Sequence, residues 1–126
     1  MKYSVNKKEE YTIFKLQEEK LDSTIAPGLK SEFITLNAEG VKNLILDMSD
    51  VRYTDSSGLS SLLVGNRIFS EESGIFIMVA LSEHVMKLIK ISQLNNVLNI
   101  VATLEEAVDA VFLHEIENGL NKEEEE

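Results

Sequence analysis

The chain has 126 residues, 44% hydrophobic and 27% charged, enough for one globular domain around one core. Its formal net charge of −10 at pH 7 argues against nucleic acid as a partner, because phosphate would be repelled. With no cysteine, disulfides, thiolate metal sites and thiol nucleophiles are excluded, and the expected location is the reducing cytoplasm.

The first stretch, "YSVNKKEEYTIFKLQ", roughly alternates, with Tyr3, Val5, Tyr11, Ile13, Phe14 and Leu16 as its apolar members. It predicts two short strands joined by a turn at Lys8 to Glu10. Charged and alternating, it has no resemblance to a secretion signal. No apolar run approaches the ~20 residues a membrane span needs, so no membrane partner is expected. In "LDSTIAPGLKSEFITLNAEG", Ile25, Leu29, Phe33 and Leu36 fall on one helical face. Asp22 and Ser23 are its expected caps, and Pro27 then sits in the first turn, where a missing N–H does little harm. Gly40 marks the loop beyond.

"VKNLILDM" holds Leu44, Ile45 and Leu46 in succession, which predicts a central strand buried on both faces. A second helix follows in "SGLSSLLVGNRIF", then another central strand in "GIFIMVA". "SEHVMKLIKIS" predicts a third helix, capped by Ser82, with Val85, Leu88 and Ile89 inward. "NVLNIV" is a short strand. "TLEEAVDAVFLHEIE" is the last helix, opened by a Thr103/Glu106 capping box, with Leu104, Ala107, Val108, Val111 and Phe112 as its inner face. Strands alternating with helices imply a single α/β domain: a mixed, mostly parallel sheet of about five strands with four helices. The domain is expected to span 1–120, with 121–126, "NKEEEE", as an acidic, disordered tail.

The stretch "TDSSGLSSLLVGNRIF", residues 54 to 69, is unusual for a helix, because serine and glycine are poor helix formers. It follows a central strand, at the end of the sheet where sites collect. Asp55 is placed to cap the helix. Ser56 and Ser57 occupy its first turn, with their hydroxyls expected outward. Ser57, Ser61 and Gly65 form a stripe of small side chains, with Leu59, Leu62, Leu63 and Phe69 on the core side. Such a stripe admits another backbone, and two readings stay open: a partner's, or a neighbour's within the same fold.

Taken with its surroundings, "LILDMSDVRYTDSSGLSSLLVG" resembles the signature of STAS domains of bacterial anti-sigma factor antagonists. The resemblance lies in a strand ending at Asp47, an aromatic at Tyr53, and Asp55, Ser56, Ser57, Gly58 and Leu59 opening a helix. Leu21, Asp22, Ala26 and Leu29 match a second family segment, and "TLEEAV" is similar to the start of its last helix. The resemblance implies the fold derived above and a binding protein, not an enzyme, with no cofactor and no metal. It implies an anti-sigma factor that is also a serine kinase as partner, with a serine phosphatase as the opposing activity. Ser56, directly after the motif's Asp, becomes the phosphorylated residue. Asp22, Asp55, Ser57, Gly58, Ser60 and Ser61 become partner-binding residues, on a monomer or weak dimer. Where many members have Gly, this chain has Ser60, which keeps that surface small. A STAS subunit of a complex without a sigma factor is the alternative within the family.

Other chemistries fit less well. A hydrolase built on Ser56 needs a His base, and His84 and His114 carry no nucleophile signature. Asp47 could suggest a phosphorelay receiver, but the acidic pair after the first strand and the Lys after a late strand are missing. Asp47 is expected instead to accept backbone N–H groups in the loop before the second helix, and Asp50 to be a solvated turn residue. Phosphate loops of the G-x-x-x-x-G-K and G-x-G-x-x-G types are absent.

Overall fold

The computed structural model describes residues 1–125. The chain runs β1 (Tyr3–Lys7), β2 (Thr12–Leu16), β3 (Lys20–Leu21), α1 (Ala26–Ala38), β4 (Leu44–Asp47), β5 (Tyr53–Thr54) and α2 (Ser56–Ser70). It continues through β6 (Phe76–Val79), α3 (Glu83–Ile91), a 3₁₀ turn (Leu94–Asn96), β7 (Asn99–Val101) and α4 (Leu104–Glu125). Five strands form the main sheet in the order β1-β2-β4-β6-β7. Only the β1–β2 pair is antiparallel. The expected mixed, mostly parallel sheet with four helices is therefore what the chain forms. β4 lies in the middle, which is why its consecutive apolar residues are all fully buried.

Alternation along the strands divides the core in two. Phe14, Leu16, Leu44, Leu46, Phe76 and Met78 face α1, α2 and α3, where Leu29, Phe33, Leu62, Phe69, Val85 and Ile89 close the larger core. Ile45, Ile77 and Val79 point the other way, toward Ala107 and Val111 of α4. One helix cannot cover that whole face. The predicted inner stripe of α4 is accordingly correct at Ala107 and Val111, while Leu104 and Phe112 are exposed. Phe112 nonetheless meets Tyr11 edge to face, with centroids 6.4 Å apart. α4 continues to Glu125; Glu126, the last residue of the expected tail, lies outside the described residues.

The helix ends follow local chemistry. Ser82 accepts from Val85 N–H at 3.2 Å and caps α3 as expected. Thr103 accepts from Glu106 N–H, while the Glu106 carboxylate reaches past Thr103 to the Ala102 N–H, so the reciprocal bond of a true capping box is displaced by one residue. The predicted cap of α1 needs correction. Its N-cap is Ile25, with no side-chain cap, and Pro27 sits in the first turn. Asp22 instead closes a turn three residues earlier, its carbonyl accepting from Ile25 and Ala26 N–H.

A buried asparagine ties the two faces together. Asn43, just ahead of β4, donates to Glu10 O at 2.9 Å and to Glu115 Oε1 at 2.8 Å. Its own oxygen accepts from Ile75 N–H at 3.1 Å. Hairpin, sheet and α4 thus share one side chain. With Lys42 also close, Glu115 is held below the usual carboxylate range, first by Asn43 and then by the Lys42 ammonium.

Candidate functional site

Asp55 has an extended backbone and its Oδ1 accepts from Gly58 N–H at 2.9 Å, satisfying one of the free donors of the first turn of α2. That cap turns the chain sharply from β5 into α2. Ser56, the first helical residue, is left exposed, and Ser57 is half-buried beside it. The expected helix start is therefore present, with the Ser56 hydroxyl at the surface.

A small second sheet sets the position of this turn. β3 and β5 pair in parallel, Lys20 with Tyr53 and Leu21 with Thr54. The next residue on each strand is an aspartate, so Asp22 and Asp55 leave the ribbon side by side. Thr54 locks the pair by donating from Oγ1 to Leu21 O at 2.8 Å, a buried bond. Two-residue strands carry no periodicity, and sequence reading passed over both.

Asp22 is half-buried, and its Oδ1 accepts from Thr24 Oγ1 at 2.6 Å and Thr24 N–H at 2.9 Å. The Thr24 hydroxyl, and next its backbone N–H, hold the carboxyl below its ordinary value. Asp22 is thus kept anionic and oriented at the edge of the helix start.

Gly58 and Ser61 lie inside the fold. A Cβ on Gly58 would overlap Thr54 Oγ1 and Leu21 O, so only glycine lets α2 sit this close to the ribbon. Ser61 is 0% exposed and donates to Gly58 O at 2.6 Å. Gly65 is likewise internal: an added Cβ would come within 2.8 Å of Phe33 and 2.9 Å of Phe76. The small stripe along Ser61 and Gly65 serves close packing of α2 within the domain. Of the expected partner-binding residues, Gly58 and Ser61 are thus buried beneath the surface that Ser57 and Ser60 help to form. The small side chains that remain accessible are Ser56, Ser57 and Ser60.

These three serines line a recess of about 350 Å³ between α1 and α2, together with Ser23, Pro27 and Lys30. Lys30 donates to Ser60 Oγ at 3.3 Å. Sequence reading missed Lys30, because a lysine one position after an inward leucine reads as an ordinary exposed helix residue.

The remaining candidates are placed as follows. Asp47 accepts from Ser49 N–H at 2.9 Å and so shapes the loop before β5, as expected, and Asp50 is exposed. His84 lies edge-on to Tyr53, with centroids 5.2 Å apart. His114 bonds Ser73 O at 2.9 Å, on the α4 side of the sheet. Among the described residues, no three His, Cys, Asp or Glu side chains are gathered where they could hold a metal ion, and no helix is long and apolar enough to cross a membrane.

The fold and site define a small α/β domain that presents a serine-led helix start capped by Asp55, with Asp22 following the paired strand β3. Residues 2–107 match the STAS domain family, and the chain belongs to it. Solved structures agree in fold. An anti-sigma factor antagonist from Mycobacterium paratuberculosis superposes with a TM-score of 0.77 at 24% identity, over 87% of this chain and 92% of that one. The Bacillus cell fate determinant SpoIIAA in its phosphorylated form gives 0.67 at 24% identity, over 87% and 99%. The anti-sigma factor antagonist SpoIIAA in its unphosphorylated form gives 0.67 at 22% identity, over 87% and 97%.

Proposed function

We propose that this chain is an anti-sigma factor antagonist: a protein-binding module, not an enzyme, that captures an anti-sigma factor with serine kinase activity and is released when Ser56 is phosphorylated. The observation that carries this reading is the exposed Ser56 hydroxyl at the capped start of α2, inside the Asp55-Ser56-Ser57-Gly58-Leu59 motif. A similarly folded protein, SpoIIAA, exists in phosphorylated and unphosphorylated forms, which supports a switch at such a site. The contact surface consists of Ser56, Ser57 and Ser60 with Asp22 and Asp55 at its edge.

The physics of the switch is local. Phosphate adds about −1.5 to −2 charges and three acceptor oxygens. It arrives beside Asp55 and near Asp22, on a body already at −10. A partner surface fitted to a small hydroxyl then meets bulk and charge. A loss of about 2–3 kcal/mol weakens binding by roughly 30- to 150-fold without any refolding. A serine phosphatase would restore the binding form, and a cytoplasmic location suits all three proteins.

The test is direct. Wild type and Ser56→Ala are incubated with ATP and lysate of the source cells, and phosphate is located by peptide mass spectrometry. The reading expects one phosphopeptide covering Ser56, absent in Ser56→Ala. Phosphate at Ser57 or Ser60 alone, or none, contradicts it.

A further inference from the structure

We propose that Lys30 is the counter-ion that a phosphate on Ser56 meets within this chain, so that α1 as well as α2 sets the charge state of the switch. The inference rests on the reading of Ser56 given above. Its physical basis is the recess between the two helices. Lys30 is the one ionisable residue that lines it, and Ser56, Ser57 and Ser60 supply hydroxyls on the opposite wall.

In the unphosphorylated chain the Lys30 ammonium rests on Ser60 Oγ at 3.3 Å, a long bond to a neutral acceptor. Among the described residues the ion pairs are Lys7–Glu39 and Lys42–Glu115, so Lys30 has no carboxylate to abandon. Ser60 follows Ser56 by one helical turn, which makes their side chains neighbours about 5–6 Å apart at Cβ. A lysine stem with four methylenes spans that shift by rotation alone. The neighbouring charged groups are Asp55, the cap of α2, and Asp22 in the turn before α1, on which the Lys20 ammonium also acts. A dianion at Ser56 is repelled by the adjacent Asp55 carboxylate and attracted by the Lys30 ammonium, the ionisable group that lines the recess with it. Exchanging the neutral Ser60 hydroxyl for a phosphate oxygen makes a charge-assisted bond, roughly twice as strong.

This has a readable consequence. An adjacent ammonium favours the dianion over the monoanion and lowers the second pKa of the phosphoserine. The switch then stays fully charged through the neutral range, where a free phosphoserine, with a second pKa near 6, begins to take up protons.

The experiment installs phosphoserine at position 56 of the full chain by codon suppression, which needs no kinase. The phosphorus-31 shift is titrated in the wild-type background, in Lys30→Met and in Lys30→Arg. The expected result is a second pKa lower in wild type than in Lys30→Met by about half a unit or more, with Lys30→Arg close to wild type. If wild type and Lys30→Met titrate together, Lys30 does not meet the phosphate and the inference is overturned. Lys30→Gln is titrated alongside, so a folding defect in one neutral variant does not decide the outcome. Failure here leaves the switch at Ser56 standing, because the titration does not measure partner binding. Failure of the switch leaves the titration standing, because the phosphate is installed directly.

Discussion

Replacing Gly58 with alanine is expected to remove about 1–4 kcal/mol of unfolding free energy, a large effect for one methyl group. The new Cβ overlaps Thr54 Oγ1 and Leu21 O and comes within 3.0 Å of Leu21 Cγ. Neither oxygen is free to retreat: one belongs to the backbone, and the other is held to it by a buried bond of 2.8 Å. Relief draws on two routes. Breaking the Thr54–Leu21 bond leaves buried polar groups unpaired, at about 1–3 kcal/mol. Lifting the first turn of α2 off the β3–β5 ribbon disturbs packing by a similar amount, about 1–3 kcal/mol. Both act in part, for a total of about 2–5 kcal/mol. Alanine returns up to about 1 kcal/mol through helix propensity. The steric term wins, and it is a sizeable share of the 5–15 kcal/mol typical of such a domain. The assay is urea unfolding followed by far-UV circular dichroism, since the chain has no tryptophan. An alanine variant within about 0.5 kcal/mol of wild type would refute the claim that glycine is required for the approach of α2 to the ribbon.

Three further outcomes follow from the same geometry. Asp55→Ala should lose about 1 kcal/mol as the Gly58 N–H loses its acceptor, whereas Asp55→Asn should lose little; equal losses in the two variants would show that the cap is not the cause. Asn43→Ala should lose about 2–3 kcal/mol in urea unfolding, because Ile75 N–H, Glu10 O and Glu115 lose their shared partner at once; a change below about 0.5 kcal/mol would contradict that role. Thr24→Val should raise the Asp22 carboxyl toward its ordinary value in a carbon-13 NMR titration. The sign for stability follows, since a depressed carboxyl stabilises the fold above the unfolded value near 3.9 and ceases to do so as pH falls through the lower folded value. The variant should therefore lose less stability than wild type on acidification below about pH 4. An unchanged Asp22 titration would rule out the Thr24 hydroxyl as the cause.

Most of the fold was legible because most of it is periodic. The consecutive apolar residues of β4 and β6 announced central strands, and Asp55 and Ser82 announced helix starts through their capping chemistry. What escaped notice lacks a period. β3 and β5 are two residues each, yet they bring Asp22 beside Asp55. The orientation of small residues was also hidden, since glycine and serine look alike whether a partner or a neighbouring helix approaches them. Gly58, Ser61 and Gly65 turned inward for the second reason. Asn43 left a usable trace: a polar residue in the apolar run "VKNLILDM" must find partners once buried, and it found three. On α4 the apolar pattern exceeds what the sheet can cover: Ile116, five residues after the buried Val111 and therefore off its face, is 59% exposed.

The central claim is that the charge state of Ser56 decides whether this chain holds its partner. Wild type, Ser56→Ala and Ser56→Asp are immobilised, exposed to lysate of the source cells, and their retained proteins compared by quantitative mass spectrometry. The account predicts that wild type and Ser56→Ala retain an ATP-dependent serine kinase, and that Ser56→Asp loses it at least tenfold. Equal retention by all three would contradict the switch and leave Ser56 as a helix-start residue of a STAS domain.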